Sequence, residues 1–148
     1  MSDPILVLVV DDSVTIRVMM QRLLQEDRGI AVSAAASAAE AEAMMAVERF
    51  DVVTLDVEMP GMGGLELLDR LMQRHAVPVI MLSASTGAGA MARAAALRAG
   101  AVGCFDKADA VREASALRRL VKAAAAGKAR ISAADRATLL DRPAASLA

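Results

Sequence analysis

Short, almost uninterrupted apolar runs alternate along this chain with longer segments in which apolar residues recur every three or four positions. The runs Ile5–Val10, Ile30–Ala35, Asp51–Leu55, Val77–Leu82 and Ala101–Phe105 are of strand length. Their near-continuous hydrophobicity predicts strands buried on both faces, as in a parallel sheet. Helices are expected between them. The first, Ser13 to about Glu26, opens on an N-cap serine and sets Ile16, Met19, Met20, Leu23 and Leu24 along one face. The second begins with Ser37-Ala38-Ala39-Glu40, a capping-box pattern in which serine and glutamate satisfy orphan N–H groups reciprocally. Three more are predicted, over about Gly64–Arg74, about Ala88–Ala99 ahead of Gly100, and about Ala110–Ala126 ahead of Gly127. The last of these turns Leu117, Leu120, Val121 and Ala124 inward.

Five βα units in succession predict an open, doubly wound α/β sheet with helices on both faces. In such sheets the ligand crevice lies outside the carboxyl ends of the strands, so the residues there are the first candidates for chemistry. The first strand ends in Asp11-Asp12, the third in Asp56, the fourth runs into Ser83 and the fifth into Lys107. All of these emerge at one edge of a parallel sheet. Three carboxylates at close range repel and raise one another's pKa unless a cation is present. Mg²⁺ fits that need, because it takes oxygen ligands and is commonly held by one or two carboxylates plus phosphate oxygens. The three carboxylates carry −3, and the metal with Lys107 carries +3. Asp56 is then a candidate nucleophile, since carboxylates form aspartyl-phosphates. Asp12 would bind the metal directly, with Asp11 beside it or acting through water. Ser83 and Lys107 would each pair with a phosphoryl oxygen. Taken singly these residues have plainer explanations: Asp11 or Ser13 as an N-cap, Ser83 as a loop hydroxyl, Lys107 as a surface lysine. Their conjunction at four strand ends is what points to phosphoryl chemistry.

Composition narrows the field. A chain of 148 residues suits one domain with a proper core. Although 56% of residues are apolar, no run approaches the about 20 that a membrane span needs. No basic, apolar, small-residue leader is evident either, and a cytoplasmic protein is expected. One cysteine, Cys104, excludes an internal disulfide and any multi-cysteine metal site. A net charge of −1, with Phe50 and Phe105 as the only aromatics, argues against nucleic acid as a partner. The basic residues Arg118, Arg119, Lys122, Lys128 and Arg130 read as the solvated face of a helix and tail. The single histidine, His75, reads as a solvent-exposed residue near the end of the third helix. Residues Lys128 to Ala148 leave the βα rhythm and read as a tail or linker, in which Ser132-Ala133-Ala134-Asp135 can cap one short helix ahead of Pro143.

VLVVDDSVTIR (Val7 to Arg17), TLDVEMPGMGGLELL (Thr54 to Leu68), PVIMLSA (Pro78 to Ala84) and AGAVGCFDK (Ala99 to Lys107) follow, in order and spacing, the motifs of response-regulator receiver domains of two-component signalling. The resemblance covers about residues 5 to 126. It implies a flavodoxin-like (CheY-like), doubly wound, five-stranded parallel sheet in the order 2-1-3-4-5 with five helices, a receiver over residues 1–127 and a tail over 128–148. The wording DVVTLDVEMPGMGGLELL, then VPVIMLSAST, is most similar to the receiver that heads chemotaxis protein-glutamate methylesterases of the CheB type.

By this resemblance Asp56 is the phosphoacceptor, Asp11 and Asp12 the acidic pair, Ser83 the switch hydroxyl and Lys107 the phosphate-pairing lysine. Mg²⁺ is the implied cofactor, held by Asp11, Asp12, Asp56 and the backbone carbonyl of Glu58. A histidine kinase, of the chemotaxis kind on the narrower match, is the implied phosphodonor. The signal is expected to leave through the surface of helix four, strand five and helix five, toward a downstream protein target or an effector domain missing from this sequence. No membrane partner is implied. No methylesterase is expected either, because the residues after Gly127 are too few for a hydrolase domain. The chain is then a signalling domain limited to self-phosphorylation and autodephosphorylation.

Three departures from the family pattern stand out. Ala108 follows Lys107 where the family has proline in a cis bond, and a cis bond before a non-proline residue costs roughly 3 kcal/mol. A trans bond is therefore expected, with Lys107 open to displacement. Cys104 replaces the switch aromatic, so coupling from Ser83 to the output surface is expected to be weaker or to use another residue, and Gly63 replaces an aspartate in the turn before helix three.

Rival readings remain at this level. A haloacid-dehalogenase-type phosphatase needs an Asp-x-Asp spacing that Asp11-Asp12-Ser13 does not supply. A nucleotide-binding domain would use Gly61-Met62-Gly63-Gly64, but the full fingerprint and a Walker lysine are lacking. A degenerate receiver, binding partners without phosphorylation, is kept open by Ala108 and Cys104.

Overall fold

The computed structural model describes residues 3–59, 63–75, 77–83 and 94–127. The apolar runs form strands β1 (Ile5–Val10), β2 (Ile30–Ala35), β3 (Val52–Asp56), β4 (Val79–Ser83) and β5 (Gly103–Asp106). Every neighbouring pair is parallel, in the order β2-β1-β3-β4-β5. Between them lie α1 (Val14–Gln25), α2 (Ala38–Val47), α3 (Gly64–Arg74), a helical stretch α4 described over 94–98, then α5 (Asp109–Arg112) and α6 (Ala114–Gly127). This is the CheY-like sheet order expected from the sequence, with the fifth helix divided in two at Glu113. Among the described residues, no helix is long and apolar enough to cross a membrane.

Helix starts follow local chemistry. The side chains of Ser13 and Ser37 accept hydrogen bonds from the amides of Ile16 and Glu40, so both serines cap as their sequence positions suggest. Gly100, at φ 112°, takes the left-handed conformation that ends α4, and Ala101 N–H closes back on the Ala96 carbonyl.

That closure moves one strand boundary. Ala101 belongs to the helix terminus, so β5 starts at Gly103 rather than at Ala101. Two other strands also start and end later than their apolar runs. Asp51 precedes β3 because its carboxylate accepts the Leu6 amide, at 2.9 Å. Pro78 has no N–H to give a ladder, and β4 begins at Val79. As a result Asp56 and Ser83 are the last paired residues of their strands instead of the first loop residues.

Strand alternation divides the core in two. Val7, Val9, Val52, Ile80, Leu82 and Phe105 pack with α1 and α6 residues such as Met20, Leu24, Leu117 and Val121. Leu8, Val10, Val53, Leu55, Val79 and Met81 pack on the other face with α2, α3 and Ala96. Thr54 breaks the first layer. It is fully buried, level with Val9 and Ile80, and its hydroxyl has no hydrogen-bond partner among the described residues. An unpaired buried hydroxyl costs about 1–3 kcal/mol, so Thr54→Val is expected to stabilise the domain by about 1 kcal/mol. The urea midpoint should rise at constant slope; a fall would show that the hydroxyl is bonded in solution.

The basic residues of α6 are only partly a solvated face. Arg118 donates to the Leu23 carbonyl (2.9 Å) and pairs with Glu26, while Lys122 pairs with Asp27. These contacts tie α6 to the end of α1, and the Lys122 ammonium with the Gly29 amide holds the Asp27 carboxyl below its ordinary pKa. Arg119 is exposed as expected; Lys128, Arg130 and the proposed tail helix lie outside the described residues. His75 departs from its expectation. It is half-buried and caps the C-terminus of α3 in an extended conformation, its amide donating to Leu71.

Candidate functional site

Three strands leave the sheet by the same local device. Asp11, Asp56 and Asp106 each accept, through Oδ1, the amide two residues on: Ser13 at 2.9 Å, Glu58 at 3.1 Å and Ala108 at 2.8 Å. Such Asx turns let an aspartate reverse the chain while keeping its second oxygen for other work.

Alternation then sorts the side chains. Asp11 continues the Val7–Val9 row, Asp56 the Val52–Thr54 row and Lys107 the Phe105 row, so all three stand over the α1/α6 face. Lys107 Nζ lies 2.9 Å from Asp56 Oδ1 and 3.4 Å from Asp11 Oδ2. Asp12 completes the cluster: carboxylate oxygens of Asp11, Asp12 and Asp56 all fall within 4.8 Å of one another. Asp11 and Asp56 are buried, whereas Asp12 is exposed.

This geometry explains the protonation behaviour. Burial drives the Asp56 carboxyl up to about 6, and the charge of Asp11 adds to that, against the lowering by Lys107 and the Glu58 amide. For Lys107, burial works to lower the pKa, but the bond to Asp56 and the charges of Asp56 and Asp11 outweigh it and hold the ammonium above its ordinary value. Among the described residues, Asp56 Oδ2 is left buried without a hydrogen-bond partner, as is Asp11 Oδ2 apart from its contact with Lys107. Uncommitted carboxylate oxygens beside the exposed acid Asp12 are a donor set suited to a hard divalent cation.

Ser83 is placed differently. It pairs with Asp106, one step beyond the Leu82 that faces Asp56, so its side chain lies toward the α3/α4 face. There its hydroxyl meets Cys104 Sγ at 3.9 Å. The residue standing in for the family aromatic therefore touches the Ser83 hydroxyl directly. Among the described residues there is no cis bond, so Lys107–Ala108 is trans. The expected displacement of Lys107 does not follow, since the ammonium still reaches Asp56.

Two supporting residues carry signals that periodicity and motif spacing pass over. Arg17, in the first turns of α1, donates from Nη1 to the Asp11 carbonyl at 2.7 Å. A cation there opposes the helix dipole, and α1 has no acid in its first turn, so Arg17 is explained by the acidic turn it braces. Gly64 opens α3 against the backbone of Asp56, its amide donating to the Val57 carbonyl at 3.1 Å. A Cβ at Gly64 would stand 2.0 Å from the Asp56 carbonyl oxygen. Gly64 is thus explained by packing on the strand end, which removes the nucleotide-loop reading of that residue, whereas a Cβ at Gly63 would meet nothing within 4 Å; Gly61 and Met62 lie outside the described residues.

Comparison with known proteins agrees with this architecture. Residues 7–122 match the response regulator receiver domain. The protein-glutamate methylesterase/protein-glutamine glutaminase of Rhizobium etli is 47% identical over 109 residues, covering 72% of this chain and 31% of that protein. Enzyme 1 of the same name from Caulobacter vibrioides is 44% identical over 117 residues, covering 78% of this chain and 34% of the relative. The chain therefore spans about a third of the length of these curated relatives. Among solved structures, the response regulator domain of Thermotoga maritima CheB superposes with a TM-score of 0.73 at 31% identity, covering 83% of this chain and 97% of that one. A CheY-like receiver domain protein from Methanospirillum hungatei gives 0.73 at 25% identity, over 87% and 98% of the two chains.

Proposed function

This chain belongs to the response-regulator receiver domain family, and from that premise we propose that it accepts a phosphoryl group on Asp56 from a histidine kinase, with Mg²⁺ bound by Asp11, Asp12, Asp56 and the Glu58 backbone carbonyl. The observation that carries the reading is the division of labour on Asp56. Oδ1 is engaged by Lys107 and the Glu58 amide, while Oδ2 has no hydrogen-bond partner among the described residues.

In the proposed reaction a carboxylate oxygen of Asp56 forms the new O–P bond as the N–P bond of a phosphohistidine breaks, and the leaving imidazole takes up a proton. Mg²⁺ would neutralise charge on the transferring phosphoryl oxygens. Lys107, already on Asp56, pairs with one of those oxygens as its carboxylate partner becomes an acyl phosphate. Ser83 donates to another once its side chain leaves Cys104, which links the pocket to β5. The trans bond at Ala108 leaves Lys107 in place, so that departure lends no support to a phosphorylation-independent binding module. Kinase and target of the chemotaxis kind are proposed from the methylesterase relatives, and a cytoplasmic setting from the kinase. The activity proposed for this chain is that of a phosphoacceptor, without methylesterase chemistry.

The test is incubation with Mg²⁺ and acetyl phosphate, beside Asp56→Asn. Intact-mass analysis should show one phosphoryl adduct on wild type and none on the variant. Identical behaviour of the two proteins would sink the proposal.

A further inference from the structure

Lys107 must be held over Asp56 by something other than proline, and the turn after β5 shows how. The Lys107 amide donates to the Ser83 carbonyl at 2.9 Å, and its carbonyl accepts the Ala110 amide at 3.3 Å. Between these, the Ala108 amide donates to Asp106 Oδ1 at 2.8 Å. That last bond needs an N–H at position 108, which proline lacks, and a short side-chain acceptor two residues earlier. Asp106 and Ala108 are therefore matched to each other, and the turn they close is the one that presents Lys107.

We infer that Asp106 is a positioning residue: its Asx turn to Ala108 fixes the backbone that aims Lys107 at Asp56 and Asp11. Ala108, at φ −65° and ψ −28°, is already helical and leads into α5 at Asp109. Without the Asp106 bond, the Lys107–Ala108 peptide loses the side-chain anchor that lies between the two backbone contacts of Lys107. The Lys107 side chain then samples orientations away from Asp56, and the cation that offsets the acidic cluster is present for less of the time. The turn is also the counterpart, on the fifth strand, of those at Asp11 and Asp56. All three strand ends that supply charge to the site are thus fixed by one mechanism. The inference deepens the proposed function of this site, and its primary readout does not depend on phosphorylation.

The experiment compares the full chain with Asp106→Ala and Asp106→Asn. Asparagine keeps the acceptor oxygen and removes the charge; alanine removes both. Lysine acylation, mapped by mass spectrometry in metal-free buffer, reports how far Lys107 is engaged, with Lys122 as the reference amine. Asp106→Ala is expected to raise Lys107 acylation about fivefold, as loss of one net hydrogen bond allows, while Asp106→Asn stays within about twofold of wild type. The rate of phosphoryl uptake on Asp56 should fall in the alanine variant and be rescued by asparagine. Hydrogen exchange at the Ala108 amide should follow the same order. If asparagine behaves like alanine, charge is responsible and the turn is not, and the inference fails. Unchanged Lys107 acylation in the folded alanine variant overturns it as well. If wild type takes up no phosphoryl group while the acylation order holds, the phosphoacceptor reading fails and the positioning role of Asp106 stands.

Discussion

Replacing Gly64 with alanine is expected to destabilise the domain by about 3 kcal/mol or more and to impair phosphoryl uptake on Asp56 at least tenfold. The added Cβ would sit 2.0 Å from the Asp56 carbonyl oxygen and 2.8 Å from the Val57 Cα, closer than atoms can approach. Both contacts are with backbone, so no side chain can rotate out of the way. Either α3 lifts off the sheet, breaking the bond from the Gly64 amide to the Val57 carbonyl, or the Asp56–Val57 peptide shifts. The second outcome moves Asp56, the proposed nucleophile, and small errors of placement cost large factors in rate. Gly63 provides the control. It is extended at φ −70°, and a Cβ there meets nothing within 4 Å, so Gly63→Ala should stay within about 0.5 kcal/mol of wild type. Urea unfolding of the two variants checks the stability claim, and adduct formation checks the chemistry. Equal stability of Gly64→Ala and wild type would mean that α3 does not seat on Asp56 as described.

The second large effect lies in the charges over the α1/α6 face. Lys107→Met removes the cation that contacts both Asp56 and Asp11, leaving two buried carboxylates facing each other. Breaking a buried pair in this way costs about 3–5 kcal/mol, less whatever protonation recovers. The sign of the accompanying pH dependence follows from Asp56. Its carboxyl is pushed from 3.8 to about 6 in the folded protein. Between those values the native state retains a proton that the unfolded chain has released, so stability falls as pH rises from about 4 to about 6. The full difference amounts to about 3 kcal/mol, all of it present below the unfolded value and lost above the folded one. Asp56→Asn, which imitates the neutral acid, should lack this contribution and be more stable than wild type at pH 7 without metal. Lys107→Met should extend the decline to higher pH, because the ammonium opposes the upward shift. Saturating Mg²⁺ should flatten it, since the metal favours the carboxylate. Urea midpoints across this range in EDTA, for wild type and Asp56→Asn, isolate the group. The advantage of Asp56→Asn should widen as pH rises; an advantage that shrinks would mean that folding lowers the Asp56 pKa instead of raising it.

Much of the site is legible before any folding is considered. Asp11, Asp12, Asp56 and Lys107 announce themselves because a parallel sheet carries strand-end residues to a common edge whatever their separation in sequence. The exits of β1 and β5 contain aspartates two residues ahead of an amide donor, a pattern visible along the chain itself. Ser83 is assigned to the right edge by the same rule, but its direction is not legible. The apolar run suggests that β4 ends at Leu82; the ladder extends through Ser83, and one residue of register turns the hydroxyl toward Cys104. Charge misleads where its partner is remote. Arg118 and Lys122 look like a solvated stripe on α6, yet their acceptors, Leu23, Glu26 and Asp27, belong to an element about ninety residues earlier.

Local sequence was sufficient for the alternation of buried strands and amphipathic helices, the serine caps and the set of charged groups at one sheet edge. Those features depend on periodicity and on bonds spanning two to four residues, which neighbouring side chains encode. It took the assembled fold to seat Gly64 on the peptide of Asp56, to bring Lys107 to Asp56 across a trans bond, and to set Arg17 as a brace for the acidic turn. Each of these depends on separations of a few ångströms between segments that pack only once the sheet has formed. No local pattern fixes such distances.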